Sequence, residues 1–201
     1  NDYSKYDDVA DRKQTWEEKT ETVMDMHRNN PKFENAFKNE EFVALFDKAE
    51  KAYKNKLVLA SQRSLQFSGK PIMKHNAKMY NCTVSYCDRM RVFQEAMYML
   101  LCGCGVGMSF MKEHVERMPT VSKRTNGTET YVIEDSIEGW ADAVGVLMSS
   151  YFDEDNTFPE YKNCVVHFDY SKIRPKGALI SGGFKAPGPD GLKQSLERVE
   201  K

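Results

Sequence analysis

One thiol and one glycine-rich segment are the features of this sequence that point to chemistry. Glycine alternates with other residues through Cys102–Gly107, directly after an apolar helical pattern. Glycine accepts positive φ and lets another molecule lie against bare backbone, and such a turn exposes N–H groups to an anion or a flat polar group. Cys82 lies upstream in a strand-like run. A thiol and a glycine cradle facing one pocket would suit redox chemistry on a bound small molecule.

Each of these features also has a structural interpretation. Cys82 is either a reactive thiol or a small apolar residue buried in a strand. Cys102 and Cys104 are either a Cys-x-Cys metal or redox pair, or one core residue and one turn residue. Zinc is disfavoured because its sites need four ligands at recognisable spacing, and the four histidines are scattered. The glycines match neither the Walker pattern nor the dinucleotide fingerprint.

A basic turn near the C-terminus is a second candidate for anion binding. Lys172, Arg174 and Lys176 alternate along it, and such cations can hold a phosphorylated effector through charge-assisted hydrogen bonds. The alternative is a solvated basic loop.

Composition limits the partners and the compartment. The chain has 201 residues and a net charge of −1, whereas non-specific nucleic-acid binding needs a basic excess. No apolar run approaches the roughly 18–20 residues of a membrane helix, and no signal-peptide pattern opens the chain. Five cysteines are odd in number and few for this length, which is typical of a reducing compartment. We expect a cytoplasmic protein that binds neither nucleic acid nor membrane.

The elements that must position these residues are predicted to alternate. Thr15 and Glu18 form a capping-box pattern that begins a helix ending at Asn30-Pro31, and apolar spacing through Phe42–Tyr53 predicts a second helix. Strand-like runs and apolar helical stripes then follow each other, which predicts an α/β fold. The strands are Cys82–Tyr86, Tyr131–Ile133 and Cys164–Phe168; the helical stripes are Met90–Leu101, Trp140–Leu147 (begun by an Asp135-x-x-Glu138 cap) and a last one from Leu192.

Taken in order, these segments resemble the catalytic subunit of ribonucleotide reductases, in the class II, adenosylcobalamin-dependent branch. The resemblance covers nearly the whole chain. It is carried by Gln66–Lys70, Asn81-Cys82, Cys102–Gly107, Glu134–Trp140, Phe168–Gly177 and Ala186–Pro189.

The resemblance implies a ten-stranded α/β barrel of two half-barrels preceded by a helical region. Residues 1–60 would be the helical N-terminal region and residues 61–201 the first part of the barrel. No nucleotide-binding cone domain precedes them, which suits a compact, phage-type member acting in a bacterial host.

The resemblance also implies roles for individual residues. Cys82 matches one of the two reducing thiols: a thiyl radical on another cysteine takes the 3′ hydrogen, water leaves C2′, and the thiol pair becomes a disulfide. Ser64 matches a hydroxyl that holds the substrate phosphate, and Asn81 flanks the ribose. Cys104 and Gly105 match positions whose backbone approaches the ribonucleotide.

Two further positions, a cofactor and a reductant follow from the same resemblance. Asp88 and Arg174 match contacts to a deoxynucleotide effector, on the sugar hydroxyl and the phosphates respectively. The cofactor is adenosylcobalamin, unless a separate metal-containing subunit supplies the radical. A thioredoxin-like reductant would restore the dithiol.

The sequence departs from the family where the radical chemistry would lie. The Asn-Pro-Cys-Gly-Glu segment that carries the thiyl cysteine is absent, as are the second reducing thiol and the second effector loop. Cys104 stands where relatives more often have Gly, Ala or Thr. We therefore expect an N-terminal portion that is inactive alone and needs a companion chain. The alternative is a non-catalytic regulatory module that binds deoxynucleotides through the same fold.

Overall fold

The computed structural model describes residues 4, 6–7, 10–154, 157–180 and 184–201. Two compact units share the chain: Asn1–Asn81 with Ser181–Phe184, and Cys82–Ile180 with Lys185–Lys201. The predicted division near residue 60 stays a prediction.

The first unit is mainly helical. Its elements are the short antiparallel strands β1 (Tyr6–Asp7) and β2 (Arg12–Lys13), then α1 (Trp16–Arg28), α2 (Glu40–Lys54), α3 (Gln62–Phe67) and α4 (Lys70–Lys74), with 3-10 turns at Pro31–Phe33, Ala36–Lys38 and Asn76–Met79. The predicted capping box is confirmed. The Glu18 N–H donates to Thr15 Oγ1 at 3.3 Å, and the Thr15 N–H donates to Glu18 Oε2 at 2.8 Å.

The core of the first unit forms where α1, α2 and α3 meet. Val23, Met24, Tyr53 and Leu65 are buried together. Trp16 packs edge-on against Tyr53, with ring centroids 5.5 Å apart. These are the apolar positions that repeat at helical spacing, so burial of one face of each helix holds this unit together.

The second unit contains two successive β-α-β arrangements. The first consists of β3 (Cys82–Tyr86), α5 (Val92–Leu101) and β4 (Gly105–Ser109), with β3 and β4 parallel. The second consists of β5 (Thr128–Val132), α7 (Ile137–Ser149) and β6 (Val165–Asp169), with β5 and β6 parallel. The short helix α6 (Lys112–Val115) lies between them, and β7 (Leu179–Ile180), β8 (Phe184–Lys185) and α8 (Asp190–Glu200) follow.

The mixed α/β class predicted from the sequence is confirmed. Strand β3 has the predicted bounds, and β5 and β6 differ from the prediction by a few residues. Strand β4 was missed, because its glycines indicate a turn when they are considered alone. Both parallel sheets have two strands within the described residues, so the ten-stranded barrel stays a prediction.

The N-terminus of α7 corrects one prediction. Ser136 is the N-cap, and its Oγ accepts a hydrogen bond from the Gly139 N–H at 2.9 Å. The Asp135 carboxylate instead pairs with the Arg174 guanidinium. Either residue type can cap a helix, and the tertiary ion pair decides which of the two does so here.

Helices α5 and α7 pack closely, which joins the two β-α-β arrangements. A Cβ on Gly145 would lie 2.7 Å from Phe158 Cε2 and 3.3 Å from Gln94 Cδ. Gln94 Nε2 donates to Asp142 Oδ1 across the same contact. The adjoining core consists of Ile133, Ala143, Leu147, Ile173, Leu192 and Leu196, all buried.

A paired glycine substitution tests the close contact between the first turn of α7 and the Glu134 backbone that precedes it. A Cβ on Gly139 would lie 2.4 Å from the Glu134 carbonyl oxygen, whereas one on Gly191 meets nothing within 4 Å. We expect Gly139→Ala to lower the free energy of unfolding by about 1–3 kcal/mol. Gly191→Ala in α8 should leave it unchanged or raise it by up to about 1 kcal/mol. Urea denaturation followed by circular dichroism measures both, and equal effects would contradict the packing at Gly139.

Candidate active site

Strands β3 and β4 bring the thiol and the glycine segment together. They run parallel in a register that sets Cys82 opposite Gly105 and Val84 opposite Gly107. Cys82 is an exposed free cysteine at the first position of its strand. The thiol therefore lies beside a backbone position that carries no side chain of its own.

The sheet face that carries Cys82 is open. Along β3, Cys82, Val84 and Tyr86 are exposed while the residues between them are half-buried, as expected when successive side chains point to opposite faces. Gly105 and Gly107 are exposed on the neighbouring strand. A Cβ on Gly107 would lie 3.6 Å from Val84 Cγ2, an ordinary contact. The glycines therefore leave a bare backbone floor beside the thiol, which is a suitable surface for a flat ligand.

The turn before β4 is a helix end rather than an anion cradle. Gly103 has φ +89°, and its N–H donates to the Leu100 carbonyl at 2.9 Å, while the Cys104 N–H donates to the Met99 carbonyl at 3.0 Å. This pair of bonds is the Schellman arrangement that ends α5. The expectation that these two N–H groups hold an anion is therefore wrong, because the helix carbonyls already use them.

Four of the five cysteines are buried, and Cys82 is the accessible one. Cys104 directly precedes Gly105 and is buried, whereas Cys82 is exposed, and both are free cysteines. Burial, followed by the charge of Asp88, raises the pKa of Cys87, which keeps that thiol protonated and unreactive at neutral pH.

The two predicted substrate contacts upstream of Cys82 lie in the first unit. Ser64 is buried in α3, and its hydroxyl donates to Met79 Sδ at 3.6 Å. Asn81 is exposed, and its Oδ1 accepts a hydrogen bond of 2.6 Å from Arg63 Nε. Their roles towards phosphate and ribose stay predictions, as do those of Cys104 and Gly105.

The two predicted effector contacts belong to the second unit, and both are already paired. Asp88 Oδ1 accepts from Arg89 Nη1 at 2.8 Å. Arg174 pairs with Asp135 and also donates to the Leu179 carbonyl at 3.4 Å. A deoxynucleotide would have to exchange these partners, and its binding at Asp88 and Arg174 stays a prediction.

The structure adds a cleft that the sequence did not indicate. It has a volume of about 530 Å³ and is lined by β3, Val106 and helices α5 and α7. Tyr98 lines it, and burial above all, with the neighbouring Cys102 next, raises the pKa of that tyrosine to about 12. No sequence signal marks this cleft, because its walls come from segments far apart in the chain.

A polar and aromatic group at the end of the first sheet was also missed. Ser109 Oγ lies 3.0 Å from His114 Nδ1, and the His114 ring lies 4.5 Å from that of Tyr86, centroid to centroid. Tyr86 and Ser109 end the parallel strands β3 and β4. Ligands of parallel sheets commonly bind at this end, so the predicted end of β3 at Tyr86 was the signal available from the sequence.

Within the described ranges, no three His, Cys, Asp or Glu side chains converge in a way that could hold a metal ion. None of the helices in this part of the chain is both long and apolar enough to cross a bilayer.

Comparison with known proteins gives one informative match. No protein-family profile matches the chain, and no curated protein matches it. Its fold is similar to the crystal structure of a B12-dependent (class II) ribonucleotide reductase, with a TM-score of 0.76 and 21% sequence identity. The match covers 98% of this chain and 35% of that one, so the chain spans about a third of that protein's length. The predicted resemblance is thus confirmed for the fold.

The accessibility of Cys82 predicts one fast thiol in the native chain. An aromatic disulfide reagent at pH 8 should modify one thiol rapidly and the other four only after denaturation, because those four are buried. Cys82→Ser should remove the fast phase. A fast phase that persists in Cys82→Ser, or that counts two thiols, would contradict this placement.

Proposed function

We propose that the chain is the N-terminal portion of a ribonucleotide reductase that converts ribonucleotides to 2′-deoxyribonucleotides for DNA synthesis. One observation carries the proposal. An exposed thiol begins the first strand of a parallel pair, in register with a glycine strand, within a fold that is similar over 98% of the chain to a class II reductase. A thiol in this position could donate hydrogen to a sugar bound beside it.

Cys82 supplies one of two reducing thiols. As the C2′ hydroxyl leaves as water, the thiol pair gives up two hydrogen atoms to the substrate and forms a disulfide. The other cysteines of this chain, Cys104 among them, are buried. The second thiol therefore belongs to the remainder of the protein, and a thioredoxin-like reductant restores the pair.

The radical that starts the reaction also comes from outside this chain. No Asn-Pro-Cys-Gly-Glu segment occurs in the sequence, so the thiyl cysteine lies in a companion segment or chain. Adenosylcobalamin, or a separate metal-containing subunit, generates that radical in the proposed enzyme. The described residues contain no group of three His, Cys, Asp or Glu side chains that could hold a metal ion.

The open face around Cys82 supports a companion. Val84 is 72% exposed and Tyr86 50% exposed on that face, and contiguous apolar surface of this kind is typical of interaction sites. Covering it would enclose the thiol and exclude water and oxygen from radical intermediates. The isolated chain should therefore be inactive.

Turnover by the complete protein tests the role of Cys82. The polypeptide that joins this chain to its remainder is assayed for reduction of CDP and CTP, with a thioredoxin-like reductant and adenosylcobalamin. Cys82→Ser should lower multiple turnover by at least about 100-fold, because the dithiol is no longer complete. Cys164→Ser is the matched control and should retain turnover, because Cys164 Sγ donates to the Lys162 and Glu160 carbonyls, to which a hydroxyl also donates.

The outcomes separate the two candidate functions. Full turnover by Cys82→Ser would remove Cys82 from the reaction. Deoxynucleotide binding that depends on Asp88 and Arg174, without any turnover by the unsubstituted protein, would favour the non-catalytic regulatory module.

A further inference from the structure

Helix α2 has an apolar face that the rest of the first unit covers only in part. Its apolar positions at helical spacing are Phe42, Leu45, Phe46, Ala49 and Tyr53, and of these only Tyr53 is buried. Phe42 and Phe46 are half-buried, whereas Leu45 is 65% exposed and Ala49 is exposed as well. An amphipathic helix is stabilised by burial of such a face, so part of the face of α2 lacks a partner within the described residues.

The uncovered part of α2 forms a single stripe along the helix. The stripe consists of residues spaced three or four apart, which places them on one side of an α-helix: Glu41, Leu45, Lys48, Ala49 and Ala52. All of them are exposed except Ala52, which is half-buried. One large apolar side chain with small alanines beside it is suited to close packing against another helix, because small side chains at the contact let two helix axes approach.

The charges of α2 change sign along its length. The first turn is acidic and the last turn is basic. Glu41 and Lys48 are two helical turns apart, so they lie on the same edge of the stripe. Neither forms an ion pair within the described residues, whereas Glu50 on another side of the helix pairs with Arg28 and Lys54. One negative and one positive charge on this edge are therefore available to a partner.

A second copy of α2 has the surface that complements this stripe. In a pair related by a two-fold axis, each residue that contacts a second residue of the other copy is contacted in the same way in return. When two such helices run antiparallel and the axis passes close to Leu45, Glu41 of each copy lies beside Lys48 of the other. A parallel pair would instead bring Glu41 against Glu41 and Lys48 against Lys48, and like charges at a helix contact repel. Charge therefore favours the antiparallel pair.

We propose that α2 is the surface through which two copies of this chain associate, as an antiparallel pair of helices. Leu45 of each copy packs against the alanines of the other, and Glu41 and Lys48 form two reciprocal ion pairs at the edge of the contact. A single pair of helices buries less than the roughly 1,200 Å² of a stable interface. The dimer is therefore reversible, with a dissociation constant on the order of 10 µM. This association is independent of the proposed reductase activity.

Sedimentation equilibrium of the 201-residue chain tests the apolar part of the contact. The dimer should form between about 1 and 200 µM protein, a range that brackets the expected dissociation constant. Leu45→Lys should raise that constant at least about tenfold, because it would place an unpaired charge inside the contact. Leu100→Lys is the matched control, since Leu100 is also an exposed leucine on a helix, and it should change the constant less than about twofold.

A charge exchange tests the orientation of the pair. Glu41→Lys and Lys48→Glu should each raise the dissociation constant about fivefold, because each replaces two attractions by two repulsions. The double variant Glu41→Lys/Lys48→Glu should restore the original constant, because the reversed charges attract again. A substitution that merely disturbed α2 would not be rescued by the second one.

Each outcome supports or overturns the proposal. A chain that stays monomeric at about 200 µM would overturn it, since the expected dimer would be largely formed at that concentration. A dimer that persists in Leu45→Lys, or that Leu100→Lys dissociates, would also overturn it, because the contact would then lie elsewhere. Failure of the double charge variant to restore the dimer would overturn the antiparallel pairing. If Leu45→Lys does not fold by circular dichroism, the charge exchange decides, because Glu41 and Lys48 are exposed.

Discussion

The parallel register between β3 and β4 is the constraint on which the candidate active site depends. It sets Cys82 opposite Gly105, and a slip of one residue would turn the thiol to the helix-covered face of the sheet. The helix between the two strands fixes this register. Helix α5 ends at Leu101, and the positive φ of Gly103 lets the chain reverse into β4 within two residues. Gly103, which the sequence suggests as part of a ligand-binding turn, therefore sets how the chain passes from α5 into β4.

Close packing of α5 on α7 holds the two β-α-β arrangements of the second unit together. Gly145 removes the side chain that would collide with Phe158 and Gln94, and Gln94 donates to Asp142 across the same contact. A parallel pair of strands is weak when it stands alone. Helix packing on one face therefore stabilises β3 and β4 and leaves the other face, with its thiol, open to a ligand or a companion.

Electrostatics distinguishes the two basic segments that the sequence contains. Near the C-terminus, Lys172 pairs with Glu134 and Arg174 pairs with Asp135, so two adjacent carboxylates neutralise two of the three cations of that turn. The segment from Ser61 to Asn81 has no carboxylate of its own. The sequence left open whether Lys172, Arg174 and Lys176 form an anion site or a solvated loop.

The sequence by itself determined the features that depend on neighbours along the chain. The capping box at Thr15 and Glu18, the bounds of β3 and the alternation of strands and helices all follow from local hydrogen bonds and from the period of apolar residues. Tertiary structure decided the features that depend on distant partners. Strand β4 exists because β3 pairs with it, Ser136 rather than Asp135 caps α7 because Arg174 binds Asp135, and the Ser64 hydroxyl points to Met79. A local pattern determines which backbone conformations are favourable. Long-range contacts decide which face of a strand is exposed to solvent, and which of two similar side chains caps a helix.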